Sequence, residues 1–169
     1  MKAARFEDLF TEGLQELYDA ENQILKALPK IIAAASSEAL SEGLQEHLDQ
    51  TKVQIRRLQS VFEAMGLTPG SSASAAMESL LNQADLRITD IEKSPVLDVA
   101  LIGAAQKVEY YEIAAYGMAR GLAELLGQQE AADLLQETLD EEEAAAKRLA
   151  DIAEMILTGG TTVRGMSGA

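Results

Sequence analysis

The stretch of sequence that decides the fold is AAQKVEYYEIAAYG, residues 104–117. In a helix, residues three and four positions apart lie on the same face. One such face here carries Ala105, Glu109, Glu112, Tyr116 and Ala119. Two carboxylates therefore occupy positions at which the core of a helical protein normally has apolar side chains. This pattern predicts a long inward-facing helix that carries a polar site.

Signals on either side of this stretch set the limits of the helix. Ser94-Pro95 is a typical helix start, because serine caps the helix and proline at its first position loses no needed N–H, and Gly127 is a typical stop. The predicted helix runs from Pro95 to about Leu126, and another follows almost at once, from about Gln129 to Leu157. A turn this short makes the two helices antiparallel neighbours.

The first half of the chain carries signals of the same kind. Apolar residues at spacings of three and four predict a helix over Phe6–Ala35 and, after a cap at Ser36-Ser37, a second helix that ends at Gly66. A loop over Leu67–Ser74 and a shorter helical pattern then form a long connection. Two hairpins joined by one crossover describe an all-α four-helix bundle with a short fifth helix, and the ferritin-like arrangement is the commonest such bundle with a functional core.

Composition and charge limit the classes of function. The chain of 169 residues has 14 Lys or Arg and 28 Asp or Glu, and its formal net charge of −14 argues against nucleic-acid binding. No apolar run approaches the roughly 18 residues that a membrane span needs, and there is no cysteine for a disulfide. With no basic and apolar leader at its start, the chain is expected to be cytoplasmic. Residues 1–158 are predicted to form one helical domain, and the glycine-rich residues 159–169 a flexible tail.

Carboxylates point inward from three of the predicted helices. Glu21 lies on the apolar stripe of the first helix and Glu142 on that of the last, with Glu141 beside it. Glu112 and Glu142 should face each other, because each lies about four helical turns from the turn that joins their helices. Like charges in a dry core cost several kcal/mol per ion, and a divalent cation removes that cost. The sequence therefore predicts that iron or manganese, which accept oxygen ligands, is bound by Glu21, Glu109, Glu112 and Glu142.

His47, the single histidine of the chain, lies on the inner face of the second helix. It is counted among the candidate ligands, but a hydrogen-bonded core histidine is the preferred interpretation, because His47 lies about one to two turns from the height of the carboxylates. Four residues are expected to hydrogen-bond the ligands: Gln54, Tyr18, Tyr116 and Glu141. Arg57 lies near the same height and is able to neutralise a carboxylate, which would make a metal less necessary.

Four segments of the chain resemble the YciE/YciF family of bacterial ferritin-like proteins. They are LYDAE at 17–21, EHL at 46–48 with Thr51 and Gln54, AAQKVEYYEIAAYG at 104–117 and LLQETLDEE at 134–142. The resemblance implies a ferritin-like bundle, a homodimer, a di-iron centre like that of rubrerythrins and a role in stress response. A surface rich in alanine and leucine around residues 100–105 is expected to bury area between protomers.

The predicted ligand set departs from the ferritin-like pattern on two helices. Typical ferritin-like proteins carry Glu-x-x-His on the second and the fourth long helix, whereas this chain has Gln54 and Arg57 on one, and Glu142 and Ala145 on the other. One metal ion fits the ligand count as well as two. Two functions stay open: a metal-binding protein that reacts with dioxygen or peroxide, or a structural or interaction bundle in which Arg57 and Lys107 offset the buried carboxylates. Whether the chain is an enzyme also stays open.

Overall fold

The computed structural model describes residues 5–70 and 72–165, with side chains as far as residue 159. Five helices follow one another: α1 (Phe6–Ala34), α2 (Glu38–Ala64), α3 (Ala75–Asp90), α4 (Pro95–Leu125) and α5 (Gln129–Gly165). Within these described residues there is no strand. The all-helical prediction is confirmed.

Serine caps and glycine stops set the limits of the helices. The hydroxyl oxygens of Ser37, Ser74 and Ser94 each accept a hydrogen bond from the backbone N–H three residues further on, which satisfies a donor that the helix itself leaves free. Gly66 and Gly127, just beyond α2 and α4, have φ angles of 62° and 71°. L-residues rarely adopt this left-handed conformation, so these two glycines end their helices.

The four long helices pack in a ring. α1 contacts α2 and α4, and α5 contacts α2 and α4 from the other side. The backbone N–H of Ser36, just before α2, donates to Asp98 in the first turn of α4, so α2 and α4 begin at the same end of the molecule. These two helices therefore run in the same direction. The connection from the end of α2 to the start of α4 must return from one end of the bundle to the other. It carries α3, which packs against α1 and α4.

A polar layer divides the interior into two apolar clusters. One cluster, which includes Leu28, Leu40 and Leu101, fills the end at which α2 and α4 begin. The other, which includes Phe10, Phe62 and Leu135, fills the opposite end. Every long helix passes through both clusters, so its middle turns lie in the polar layer between them.

Two expectations from the sequence concern parts of the chain outside this core. The last helix runs to Gly165, beyond its predicted end at Leu157. The predicted flexible tail at 159–169 stays a prediction, because residues 166–169 and the side chains of 160–165 lie outside the described residues. Within the described part of the chain, no helix is both long and apolar enough to cross a membrane.

The expected dimer surface around residues 100–105 is largely inside the protomer. Leu101 and Ala104 are buried and belong to one of the two apolar clusters. The reason is that α4 is flanked by α1, α3 and α5, which cover the face of α4 that carries Leu101 and Ala104. Leu101 and Ala104 are therefore not available to an interface between protomers.

Asp98 ties the turn between α1 and α2 to the start of α4. Its Oδ1 accepts a hydrogen bond from the Ser36 N–H at 2.7 Å, and its Oδ2 accepts from the Ser36 hydroxyl at 2.5 Å and the Ser37 N–H at 2.9 Å. Only 1% of Asp98 is exposed. One buried carboxylate thus satisfies three donors and fixes how the two hairpins dock.

Replacing Asp98 should test this link. Asp98→Ala is expected to lower the free energy of unfolding by about 3 kcal/mol, because buried donors lose their partner. Urea denaturation followed by circular dichroism measures the change. Asp90→Ala, at an exposed aspartate, is the control and should change the value by less than about 0.5 kcal/mol. A loss as small in Asp98→Ala would contradict the assigned role.

Candidate metal centre

Buried ionisable side chains from all four long helices meet in the polar layer. They are Glu21 on α1, His47 on α2, Glu109 and Glu112 on α4, and Glu142 on α5. Each lies on the inward stripe of its helix, at the turn where that helix passes between the two apolar clusters. The packing of the ring therefore directs these side chains toward a common region.

Four of these side chains form a compact cluster. His47, Glu109, Glu112 and Glu142 each offer one nitrogen or oxygen atom, and these atoms all lie within 4.8 Å of one another. Nε2 of His47 is 3.7 Å from Oε1 of Glu109. One imidazole and three carboxylates are a suitable donor set for iron, manganese or zinc. The structure thus brings together four of the five predicted ligands.

Glu21, the fifth predicted ligand, lies beside this cluster. The hydroxyl of Tyr116 donates a hydrogen bond to its Oε1 at 2.5 Å, and its Oε2 has no hydrogen-bond partner. Tyr116 is itself completely buried, and burial followed by the charge of Glu21 raises the pKa of its hydroxyl well above the usual value. Tyr116 therefore stays a neutral donor and fixes the position of Glu21, as the sequence predicted for a residue that bonds a candidate ligand.

His47 lies closer to the carboxylates than expected. Glu109 is one turn nearer the start of α4 than Glu112, and because α2 and α4 run in the same direction, this brings Glu109 to the height of His47. Neither nitrogen of His47 has a hydrogen-bond partner. Burial lowers the pKa of the imidazole, which favours the neutral form with a free lone pair. The preferred interpretation, a hydrogen-bonded core histidine, is not what the structure has; the geometry suits a ligand.

Gln54 and Arg57 on α2 hold the carboxylates of α5. Nε2 of Gln54 donates to Oε1 of Glu142 and, at 3.0 Å, to Oε2 of Glu141. Arg57 donates to both oxygens of Glu141 at 2.7 Å, a two-point pairing that fixes the carboxylate plane. The hydroxyl of Thr138 accepts a hydrogen bond from Arg57 at 3.3 Å. This contact was not predicted, although Thr138 lies on the inward stripe of α5. Arg57 is thus bound directly to Glu141, outside the cluster of four.

Two residues expected to act on the candidate ligands lie elsewhere. Tyr18 packs edge-on against Phe62, with ring centroids 5.9 Å apart. Nζ of Lys107 donates to Gln83 of α3 at 2.8 Å, on an exposed surface. Lys107 precedes Glu109 by two residues, which is about 200° around the helix and therefore the opposite face. Lys107 does not offset the buried carboxylates, contrary to the expectation for a purely structural bundle.

The cluster has more acceptor atoms than donors. Both oxygens of Glu112 and one each of Glu109 and Glu142 are buried without a hydrogen-bond partner. Burial, and after it the charge of Glu142, raises the pKa of Glu109 and of Glu112 well above the usual values. Buried acceptors without partners carry a desolvation cost. The residues present therefore fit a cation, which would satisfy these oxygens together.

Known proteins match nearly the whole chain. The family model described as "Domain of unknown function (DUF892)" matches residues 5–161. Protein YciF of Escherichia coli strain K12 is 45% identical over 154 residues, which are 90% of this chain and 93% of YciF. The crystal structure of the E. coli stress protein YciF matches with a TM-score of 0.89 and 43% identity, over 92% of this chain and 99% of that one. YcfI of Rhodopseudomonas palustris matches with a TM-score of 0.85 and 42% identity, over 88% and 95%.

Without added metal, the protein should melt at a higher temperature near pH 5.5 than near pH 8. The native state holds protons on Glu109 and Glu112 at pH values at which the unfolded chain has released them, so stability falls as pH rises from the unfolded pKa toward the raised folded pKa. For each carboxyl group that is protonated only in the native state, the free energy of unfolding falls by about 1.4 kcal/mol for every unit by which the pH rises. His47 acts in the opposite direction, because its folded pKa is lowered, but only below about pH 6.5.

Melting curves of chelator-treated protein measure this difference. Glu112→Gln should remove a large part of it, because the amide keeps the shape of the side chain and does not titrate. Glu143→Gln, on an exposed position of the same acidic run, is the matched control and should leave the difference intact. Equal melting temperatures of the unmodified protein at the two pH values would contradict the prediction.

Proposed function

The chain belongs to the family described as a domain of unknown function (DUF892), and from this premise we propose that it is a ferritin-like protein that binds iron or manganese through buried carboxylates. The observation that carries the proposal is the cluster of His47, Glu109, Glu112 and Glu142. The nitrogen and oxygen atoms that these side chains offer to a metal lie within 4.8 Å of one another and are largely without hydrogen bonds. A cation bound there satisfies these atoms and removes the repulsion between them.

Each residue of the proposed centre has a distinct task. A bound iron or manganese ion would supply one-electron chemistry toward dioxygen or peroxide. His47 offers a neutral nitrogen, and the three glutamates of the cluster offer the negative charge that balances a cation. Gln54 holds Glu142 in place from α2. The apolar clusters on both sides of the layer limit the access of water.

The arrangement favours a single metal ion over a pair of ions. Glu21 lies outside the group of four and is already bonded by Tyr116. On α2, Gln54 and Arg57 stand at the positions that would supply a Glu-x-x-His pair, and the guanidinium of Arg57 is a permanent positive charge. A second divalent ion would therefore lack ligands on α2, and it would lie near a charge of its own sign.

A structural bundle without metal chemistry is the second candidate. The R. palustris relative YcfI is described as a candidate structural protein. In this chain, hydrogen bonds from Gln54 and Tyr116 already engage Glu142 and Glu21 without any metal. If protons on the remaining carboxylates are enough to stabilise the layer, the bundle needs no ion.

Cellular context and assembly belong to the same proposal. E. coli YciF is described as a stress protein, and we extend a role in stress response to this chain, with small oxidants such as peroxide as its reaction partners. The absence of cysteine suits the reducing cytoplasm. The resemblance to the family also favours a homodimer.

Metal binding should be measurable directly. Mn(II), or Fe(II) without oxygen, is expected to bind near one ion per chain in calorimetric titration. It should stabilise the protein more at pH 8 than at pH 5.5, since it displaces protons that the carboxylates hold without it. This should reverse the order of melting temperatures that we predict for the protein without metal. Glu112→Gln should weaken binding by at least about ten-fold, whereas Glu143→Gln should bind normally. Binding no tighter in the unmodified protein than in Glu112→Gln would favour the structural candidate.

Light scattering tests the proposed dimer. The expected mass is twice the 18.1 kDa of one chain. The mass should stay the same after treatment with chelator, because the proposed ligands all lie within one protomer. A mass of a single chain at micromolar concentration would exclude the dimer.

A further inference from the structure

A cavity of about 170 Å³ lies between α2 and α5 and leads to the acidic cluster. Two members of the cluster, His47 and Glu109, are part of its lining and are buried. Two further lining residues, Glu46 and Arg148, have side chains that are about half exposed. The cavity therefore extends from the surface of the bundle to one edge of the cluster.

Small residues on both helices keep this space open. Gly43 on α2 and Ala144 and Ala145 on α5 line the cavity. Gly43 lies within α2 and does not have a left-handed backbone conformation. Its conformation therefore does not require glycine, and glycine weakens a helix. A Cβ at Gly43 would already lie 3.4 Å from Cδ1 of Ile152 and 3.5 Å from Nε of Arg148. Larger side chains at these positions would fill the cavity.

An exposed ion pair spans the mouth of the cavity. Arg148 on α5 donates a hydrogen bond to Glu46 on α2. Ion pairs between half-exposed side chains are weak, and such side chains change rotamer rapidly. The pair therefore covers the mouth without sealing it.

The lining decides what kind of molecule the cavity admits. Leu44, Leu149 and Ile152 make much of the wall apolar, while the inner end presents an imidazole whose two nitrogens have no hydrogen-bond partner. The volume corresponds to about five or six water molecules. Anions are disfavoured, because Glu109 lies at the inner end and the formal net charge of the chain is −14.

From these observations we propose that the cavity is the entrance through which a small uncharged molecule, of the size of hydrogen peroxide or dioxygen, reaches the His47–Glu109 edge of the cluster. The reaction such a molecule would undergo there rests on the proposed function. The entrance itself does not, since helix packing forms it and no metal ion is required. Access to His47 can therefore be measured on metal-free protein.

The single histidine makes a direct test possible. Diethyl pyrocarbonate, a small uncharged reagent that acylates neutral imidazole, should modify His47 in metal-free protein, as read by ultraviolet absorbance and mass spectrometry. Ala145→Leu should slow this reaction by at least about ten-fold, because the larger side chain occupies the route. Arg148→Ala should accelerate it several-fold by clearing the mouth. Ala150→Leu, at an exposed position of α5 outside the lining, is the control and should react at the rate of the unmodified protein.

Three outcomes would overturn the proposal. They are an unreactive His47 in the unmodified protein, an unchanged rate in Ala145→Leu, and an equal slowing in the Ala150→Leu control. Melting curves check that each variant is folded. If Ala145→Leu does not fold, Arg148→Ala becomes the deciding variant, and an unchanged modification rate in it would overturn the proposal. A failure of the proposed function would appear in the metal titrations and would leave these rates unaffected.

Discussion

Burial of several carboxylates in the middle of an apolar bundle is the constraint on which the rest of this structure depends. A buried charge without compensation costs several kcal/mol, so each glutamate of the polar layer needs a proton, a donor or a cation. The protein supplies part of this compensation itself, through Tyr116 to Glu21 and through Gln54 to Glu142. What it leaves unsatisfied, above all both oxygens of Glu112, defines the chemistry of the centre.

The two apolar clusters provide the stability that the polar layer lacks. Each cluster draws side chains from all four long helices, so burial on both sides holds the middle turns at fixed distances. Asp98 adds a directional link at one end, where it joins the two hairpins. Rigid ends and an unsatisfied middle are the arrangement that a preorganised cation site requires.

Local signals in the sequence were sufficient for the helices and for part of the site. Caps such as Ser94, stops such as Gly127 and the inward stripe with Glu112 depend only on neighbouring residues, and each lies where it was predicted. The position of His47 was misjudged because its height relative to Glu109 depends on the axial shift between two helices, which no local signal encodes. The three donors that meet Asp98 and the cavity between α2 and α5 also depend on how the helices pack together. Local signals in the sequence therefore did not predict them.

The proposed ligands are divided between the two hairpins, which leave the ribosome one after the other during synthesis. The α1–α2 hairpin emerges first and carries only His47 of the cluster, whereas Glu142 follows on the last helix. An ion in the cell therefore meets no complete site on the growing chain. If the proposed site takes an ion, loading would follow the docking of the two hairpins, and metal availability would act on the finished protein rather than on the path by which the chain reaches its fold.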